Sequence, residues 1–101
     1  MGALVTAQLH PGALVLGEVV GHQPWGVEMR VRANGEEVIG IVDVIYVTDE
    51  RPFDPPDDYP PVGRTLEAVV LGYAPNGQLR LSTRDSDLDP AREQAGGDRL
   101  S

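Results

Sequence analysis

The chain has 101 residues, 41% hydrophobic and 24% charged, which suits one small core and leaves no room for two. Sixteen acidic side chains stand against eight basic ones, all of them arginine, for a net charge of −8, so a free-standing polyanion binder is not what charge favours. With no cysteine and two lone histidines, disulfides and thiolate metal centres are excluded, and stability has to come from packing.

Nine prolines and twelve glycines divide the sequence into short apolar segments, and no window of helical length keeps an apolar stripe, so the chain reads as all-β. The first strand is expected at residues 13–21, rich in Val and Leu, with Gly17 where a strand bends or another backbone comes close. The second, at residues 25–32, alternates Val27, Met29 and Val31 with Glu28, Arg30 and Arg32, the period of a strand with one buried face. Asn34-Gly35 supplies a tight turn that returns the chain as a third strand at residues 37–43. The run from Val38 to Val47 is almost wholly apolar, more than one face of a small sheet takes up, so part of it is expected at the surface.

Residues 46–62 hold five prolines and five acids against the single Arg51, a composition that no strand or long helix tolerates. Connections this long are commonly functional or mobile. Strands four and five follow at residues 65–73 and 78–83, joined by the turn Ala74-Pro75-Asn76-Gly77, with Leu79 and Leu81 facing inward. From Asp85 onward five acids and two arginines fill 17 residues, which predicts a disordered acidic tail with at most one helical turn near residues 90–94. The expected organisation is an N-terminal arm over 1–11, one domain over 12–84 and the tail over 85–101.

Three strands in a meander, a long connection and a closing hairpin match a five-stranded Greek-key barrel of the OB type, with an SH3-like barrel as the main competitor. The order of short motifs decides between them. Gly12, Leu14, Val15, Gly17 and Val19 come first, then Trp25-Gly26-Val27, then Gly40-Ile41-Val42-Asp43-Val44-Ile45. Val62-Gly63 and Gly77-Gln78-Leu79-Arg80-Leu81-Ser82 complete the series. Together, from Pro11 to about Arg84, these pieces resemble the S-one RNA-binding domain family, named for the ribosomal protein in which it is repeated.

The resemblance implies an OB barrel that holds single-stranded RNA on the face of strands two and three. The family uses an aromatic pair spaced three apart, a His at the end of strand three, and an acid and a basic residue around the last hairpin. Trp25 keeps the first aromatic position; Glu28 stands at the second, Asp43 at the His, Ala74 at the acid and Gln78 at the basic residue. Stacking contributes roughly 1 to 3 kcal/mol per base, so the missing platform, with carboxylates at Glu28 and Asp43, implies weak RNA binding. What binding remains is expected to rest on phosphate contacts and to fall steeply with salt.

Trp25, Arg30, Arg80 and Arg84 are the candidate RNA contacts. Each has a plainer reading: Trp25 as a partly buried rim residue, Arg30 and Arg32 as cross-strand partners of Glu36 or Glu37, Arg80 and Arg84 as surface charges. An alternative from another class is a protein-interaction module with Glu28, Asp43, Ile45 and Tyr46 as its surface, the acidic loop facing a basic partner. His10 and His22 lie 12 residues apart without carboxylates at ligand spacing, and Asp54, Asp57 and Asp58 lack the framework of a calcium loop. No phosphate loop, nucleophile elbow or Cys–His pairing appears, so no enzyme, cofactor, metal or small-molecule substrate is expected. Nor does any apolar run approach the ~20 residues that span a bilayer, and the N-terminus lacks the features of a secretory signal, so a cytoplasmic protein without membrane association is expected.

Overall fold

The computed structural model describes residues 9–33 and 35–100, with side chains for all of these except 33 and 95–100. Five strands form: β1 Leu14–Gln23, β2 Gly26–Ala33, β3 Glu36–Asp43, β4 Thr65–Tyr73 and β5 Leu79–Ser82. A single 3-10 turn, Val44–Tyr46, follows β3, and a helix α1, Asp85–Leu100, follows β5. The strands close into a barrel in the order β1-β2-β3-β5-β4, with β4 returning to β1. Only the β3–β5 join is parallel. This is the expected all-β OB topology, with β1 paired to β2 and β2 to β3.

Alternation along β2 sets the core. Val27, Met29 and Val31 are fully buried, and they meet Val19, Val42, Ala68, Val70, Leu79 and Leu81 from the other strands. The register Gly17↔Val31 brings β1 close enough that a Cβ on Gly17 would sit 2.8 Å from the Met29 Cε, which explains the glycine foreseen there. A bulge between Val19 and Gly21 lets β1 coil so that its first half pairs with β4 and its second half continues along β2. Asn34 lies outside the described residues; Gly35 beside it has φ +82°, the left-handed conformation of a tight turn.

The apolar run after β3 is divided between inside and outside. Val42 and Val47 are buried, while Ile39 and Ile45 stay 44% and 58% exposed. The long connection is anchored by its aromatic residues. Tyr59 is buried and its hydroxyl donates to the Gln23 carbonyl at 2.9 Å; burial also raises its pKa. Phe53 lies 6.0 Å from the Tyr59 ring and His22 meets it edge-on at 5.2 Å, with the His22 Nε2 2.7 Å from the Pro60 carbonyl.

The C-terminal segment departs from the expectation of a tail with one helical turn: it is helical over Asp85–Leu100. Leu88 and Ala91, three residues apart, cover Val69 and the partly buried Leu14 on the outside of the barrel. Polar contacts complete the seam. Ser82, fully buried, donates through Oγ to Asp87 at 2.7 Å, and Arg84 Nε donates to the same carboxylate oxygen at 2.9 Å. Asp49 accepts from the Ser86 amide and hydroxyl at 2.8 and 3.0 Å, and Arg92 reaches Glu67 on β4 at 2.8 Å. Asp85 and Asp87 sit in the first turn, where the helix dipole favours acids. No helix among the described residues is long and apolar enough to cross a membrane.

Candidate nucleic-acid interface

The outward face of β2, β3 and β5 is ordered by two registers. Glu28 pairs with Ile41 and Ile41 with Arg80, so one row crosses all three strands; Gly26 pairs with Asp43 in the next. Trp25 enters immediately before this row and is 49% exposed. Its carbonyl accepts a 3.0 Å hydrogen bond from the Val44 amide, which ties it to the end of β3. The glycine after it has a steric reason: a Cβ on Gly26 would collide with the Val42 carbonyl.

Beside this face lies an open groove of about 430 Å³. Ile41, Asp43, Tyr46, Leu71, Tyr73 and Arg80 supply its main side chains. A bulge between Val70 and Gly72 shapes one wall. Gly72 sits at φ +138°, a conformation that favours glycine, and Leu71 and Tyr73 on either side of it are 37% and 46% exposed. The Tyr73 hydroxyl accepts from the Leu9 amide at 3.3 Å. Tyr46 closes the far end, with the Arg84 guanidinium 4.6 Å from its ring centre, a cation–π distance.

At the floor, Arg80 Nη1 donates to both carboxylate oxygens of Asp43, at 2.8 and 2.7 Å. With both side chains more than a third exposed, the pair adds little to stability. It does cancel a charge, so Asp43 presents no free carboxylate to a phosphate. Nor does Glu28 crowd the groove, since its carboxylate lies over Gly21 on β1, away from β3. Gln78 donates through Nε2 to the Ile39 carbonyl at 3.2 Å.

The structure therefore gathers Asp43, Tyr46 and Arg80 into one groove, leaves Trp25 outside its lining, and pairs the other nominated cations with carboxylates beyond it. Arg30 is bound to Glu18 on β1 at 2.9 Å, and that hydrogen bond, with the charges of Glu18 and Glu37, raises its pKa. Arg32 pairs with Glu37 at 2.7 Å, as cross-strand logic foresees. Arg84 belongs to the helix seam, 2.9 Å from Asp87. Ile45 is exposed on the 3-10 turn ahead of the acidic loop. Sequence reasoning missed Tyr73, Leu71 and the outward Ile41. The one signal available for Tyr73 was Gly72, a glycine just before the end of a strand. Among the described residues, no three His, Asp or Glu side chains cluster at metal-binding distance.

The class defined by this barrel is the five-stranded OB fold, and comparison with solved structures agrees. A chain of the a/eIF2alpha–aDim2p–rRNA complex from Pyrococcus horikoshii superposes with a TM-score of 0.63 at 19% identity, over 85% of this chain and 52% of that one. The chain thus spans about half the length of that relative. An uncharacterized protein from Methanocaldococcus jannaschii superposes with a TM-score of 0.53 at 15% identity, over 74% of this chain and 92% of that one. No family model and no curated protein matches the sequence.

Proposed function

We propose that the chain is a non-catalytic, S-one-like module that binds single-stranded RNA weakly on its β2–β3–β5 face, in the cytoplasm. The observation that carries this reading is the groove lined by Tyr46, Tyr73 and Arg80, on the face whose β2 strand begins right after the exposed Trp25. It restores, by different residues, the aromatic surface that the missing second platform takes away. The similarity in fold to a chain from a complex that contains rRNA supports it.

The balance of forces differs from the one expected from sequence. Arg30 is held by Glu18 away from the groove, Arg84 meets it only through the Tyr46 ring while paired with Asp87, and Arg80 is the one nominated cation in its lining. Stacking, at roughly 1 to 3 kcal/mol per base, therefore outweighs phosphate contact. A single-stranded oligoribonucleotide should quench Trp25 fluorescence, and the logarithmic salt slope should be shallower than the value of about −0.7 that one phosphate contact gives. Tyr73→Ala should weaken binding about tenfold. Absence of binding at low salt, or a Tyr73→Ala variant that binds as tightly as the parent, would refute the reading.

A protein partner with a basic surface is a second reading, supported by Ile45 standing 58% exposed just before a loop that carries Glu50, Asp54, Asp57 and Asp58. Ile45→Ser should then reduce partner affinity and leave the unfolding midpoint unchanged. Loss of stability in that variant would assign Ile45 to the fold.

A further inference from the structure

The arginine at the floor of the groove has donors to spare. Nη1 of Arg80 is engaged twice, by both oxygens of Asp43, while Nε and Nη2 meet no acceptor among the described residues. Nε is buried as well in the free protein, so a ligand reaches it only as the Arg80 side chain, 37% exposed, turns outward; a buried N–H without an acceptor is uncommon enough to call for an explanation. Nε–H and Nη2–H leave the guanidinium side by side, the fork that takes two neighbouring acceptors on a planar group.

Charge decides which acceptors suit it. Asp43 neutralises Arg80 at contact distance, on a chain of net charge −8, so this fork holds little attraction for a phosphate. A neutral planar group with two adjacent acceptors keeps the full geometric match without the repulsion. Among RNA bases guanine offers O6 beside N7 on its Hoogsteen edge, whereas adenine sets N7 beside a donor. An unpaired cytosine also presents two adjacent acceptors, but its single ring covers less of the exposed Tyr73 and of a groove of about 430 Å³.

We propose that the groove is a guanine-selective subsite in which the Arg80 fork reads O6 and N7, with Tyr73 and Tyr46 as walls and Asp43 as the positioning residue that fixes and neutralises Arg80. This deepens the RNA reading above and rests on it.

The test uses the full chain and four pentaribonucleotides: UUGUU, UUAUU, UUCUU, and UUGUU carrying 7-deazaguanine, which keeps stacking and phosphates but lacks the N7 acceptor. Affinities are read by anisotropy of end-labelled RNA. UUGUU should bind about tenfold tighter than UUAUU, and the deaza analogue should lose most of that margin. Arg80→Lys, which keeps the charge and removes the fork, should bring the four RNAs to one affinity with no change in the thermal midpoint. Asp43→Asn should narrow the preference and steepen the salt dependence, as a freed guanidinium turns to phosphate. Equal binding of all four RNAs, a preference for cytosine, or a guanine preference that survives 7-deaza substitution or Arg80→Lys would overturn the guanine subsite and leave RNA binding standing. Failure of every RNA to bind would overturn both.

Discussion

Arginine meets carboxylate in two regions of this molecule, and the two meetings differ in how completely the polar atoms are used. In the seam under α1, Arg84 is shared between Asp87, Asp49 and the Tyr46 ring, the Asp87 carboxylate also accepts from a buried serine, and Leu88 and Ala91 seal the apolar side. In the groove, Arg80 has one partner, one nitrogen occupied and a buried Nε left over. The same pair of functional groups thus makes a closed joint in one place and an open one in the other. A closed network fixes structure, and an open one is available to a guest.

Substitutions in the seam should cost stability without touching affinity, and those in the groove the reverse. The largest effect is expected from Leu88→Ala, which removes the main apolar contact of α1: about 2 kcal/mol of unfolding free energy, read by chemical denaturation, with RNA affinity unchanged. Asp87→Ala comes next. It leaves the buried Ser82 hydroxyl only its longer 3.4 Å contact with the Tyr46 carbonyl and Arg84 short of a partner, at about 1 to 2 kcal/mol.

Acid should loosen the seam before the barrel. The Ser86 amide, aided by the Ser86 hydroxyl and the charges of Arg84 and Arg51, holds the Asp49 carboxyl below its usual pKa, against a smaller opposing effect of burial. A carboxyl depressed in the folded state lends stability above its unfolded-state value, near 3.9 for an ordinary Asp, and that stability disappears as pH falls through the lower folded value. Helical circular dichroism should therefore decline with acid in Asp49-containing protein, and Asp49→Asn should flatten that decline. The smallest stability effect belongs to the groove: Arg80→Lys and Asp43→Asn should each shift unfolding by less than about 1 kcal/mol, because the pair is more than a third exposed. A larger loss in either variant would make the groove a structural joint like the seam.

The difference between the regions also explains what the sequence could disclose. Val27, Met29 and Val31 alternate with charges, and Asn34-Gly35 marks a turn, so β2 and β3 announce themselves within a dozen residues. α1 does not, because among the described side chains its burial depends on Leu88 and Ala91, and the surface they cover, Leu14 and Val69, lies elsewhere in the chain. The rest of its attachment includes polar contacts through Ser82, Asp87, Asp49 and Ser86, and a composition argument counts such residues as solvated. In the groove, Trp25, Asp43, Tyr46 and Arg80 could be nominated singly from their places in a resemblance. That Asp43 and Arg80, 37 residues apart, cancel one another follows from the parallel pairing of β3 with β5. Tyr73 escaped because it stands just past a bulge between Val70 and Gly72, at the end of a strand, and a bulge leaves little trace in an otherwise apolar strand.

The join that brings Asp43 to Arg80 is also the shortest in the barrel. β3 and β5 pair over only Gly40↔Leu79 and Ile41↔Arg80, whereas β2 and β3 share eight registers. Local opening is easiest where a ladder is short, so the cylinder should part here first, along a line between β3 and β5. Ile41 and Arg80 belong at once to that line and to the floor of the groove. A guest seated across them would act as a clasp, and its presence should slow amide exchange at Gly40 and Ile41 more than in the rest of the barrel. Breathing of the closed sheet and occupancy of its face are thereby two readings of a single equilibrium.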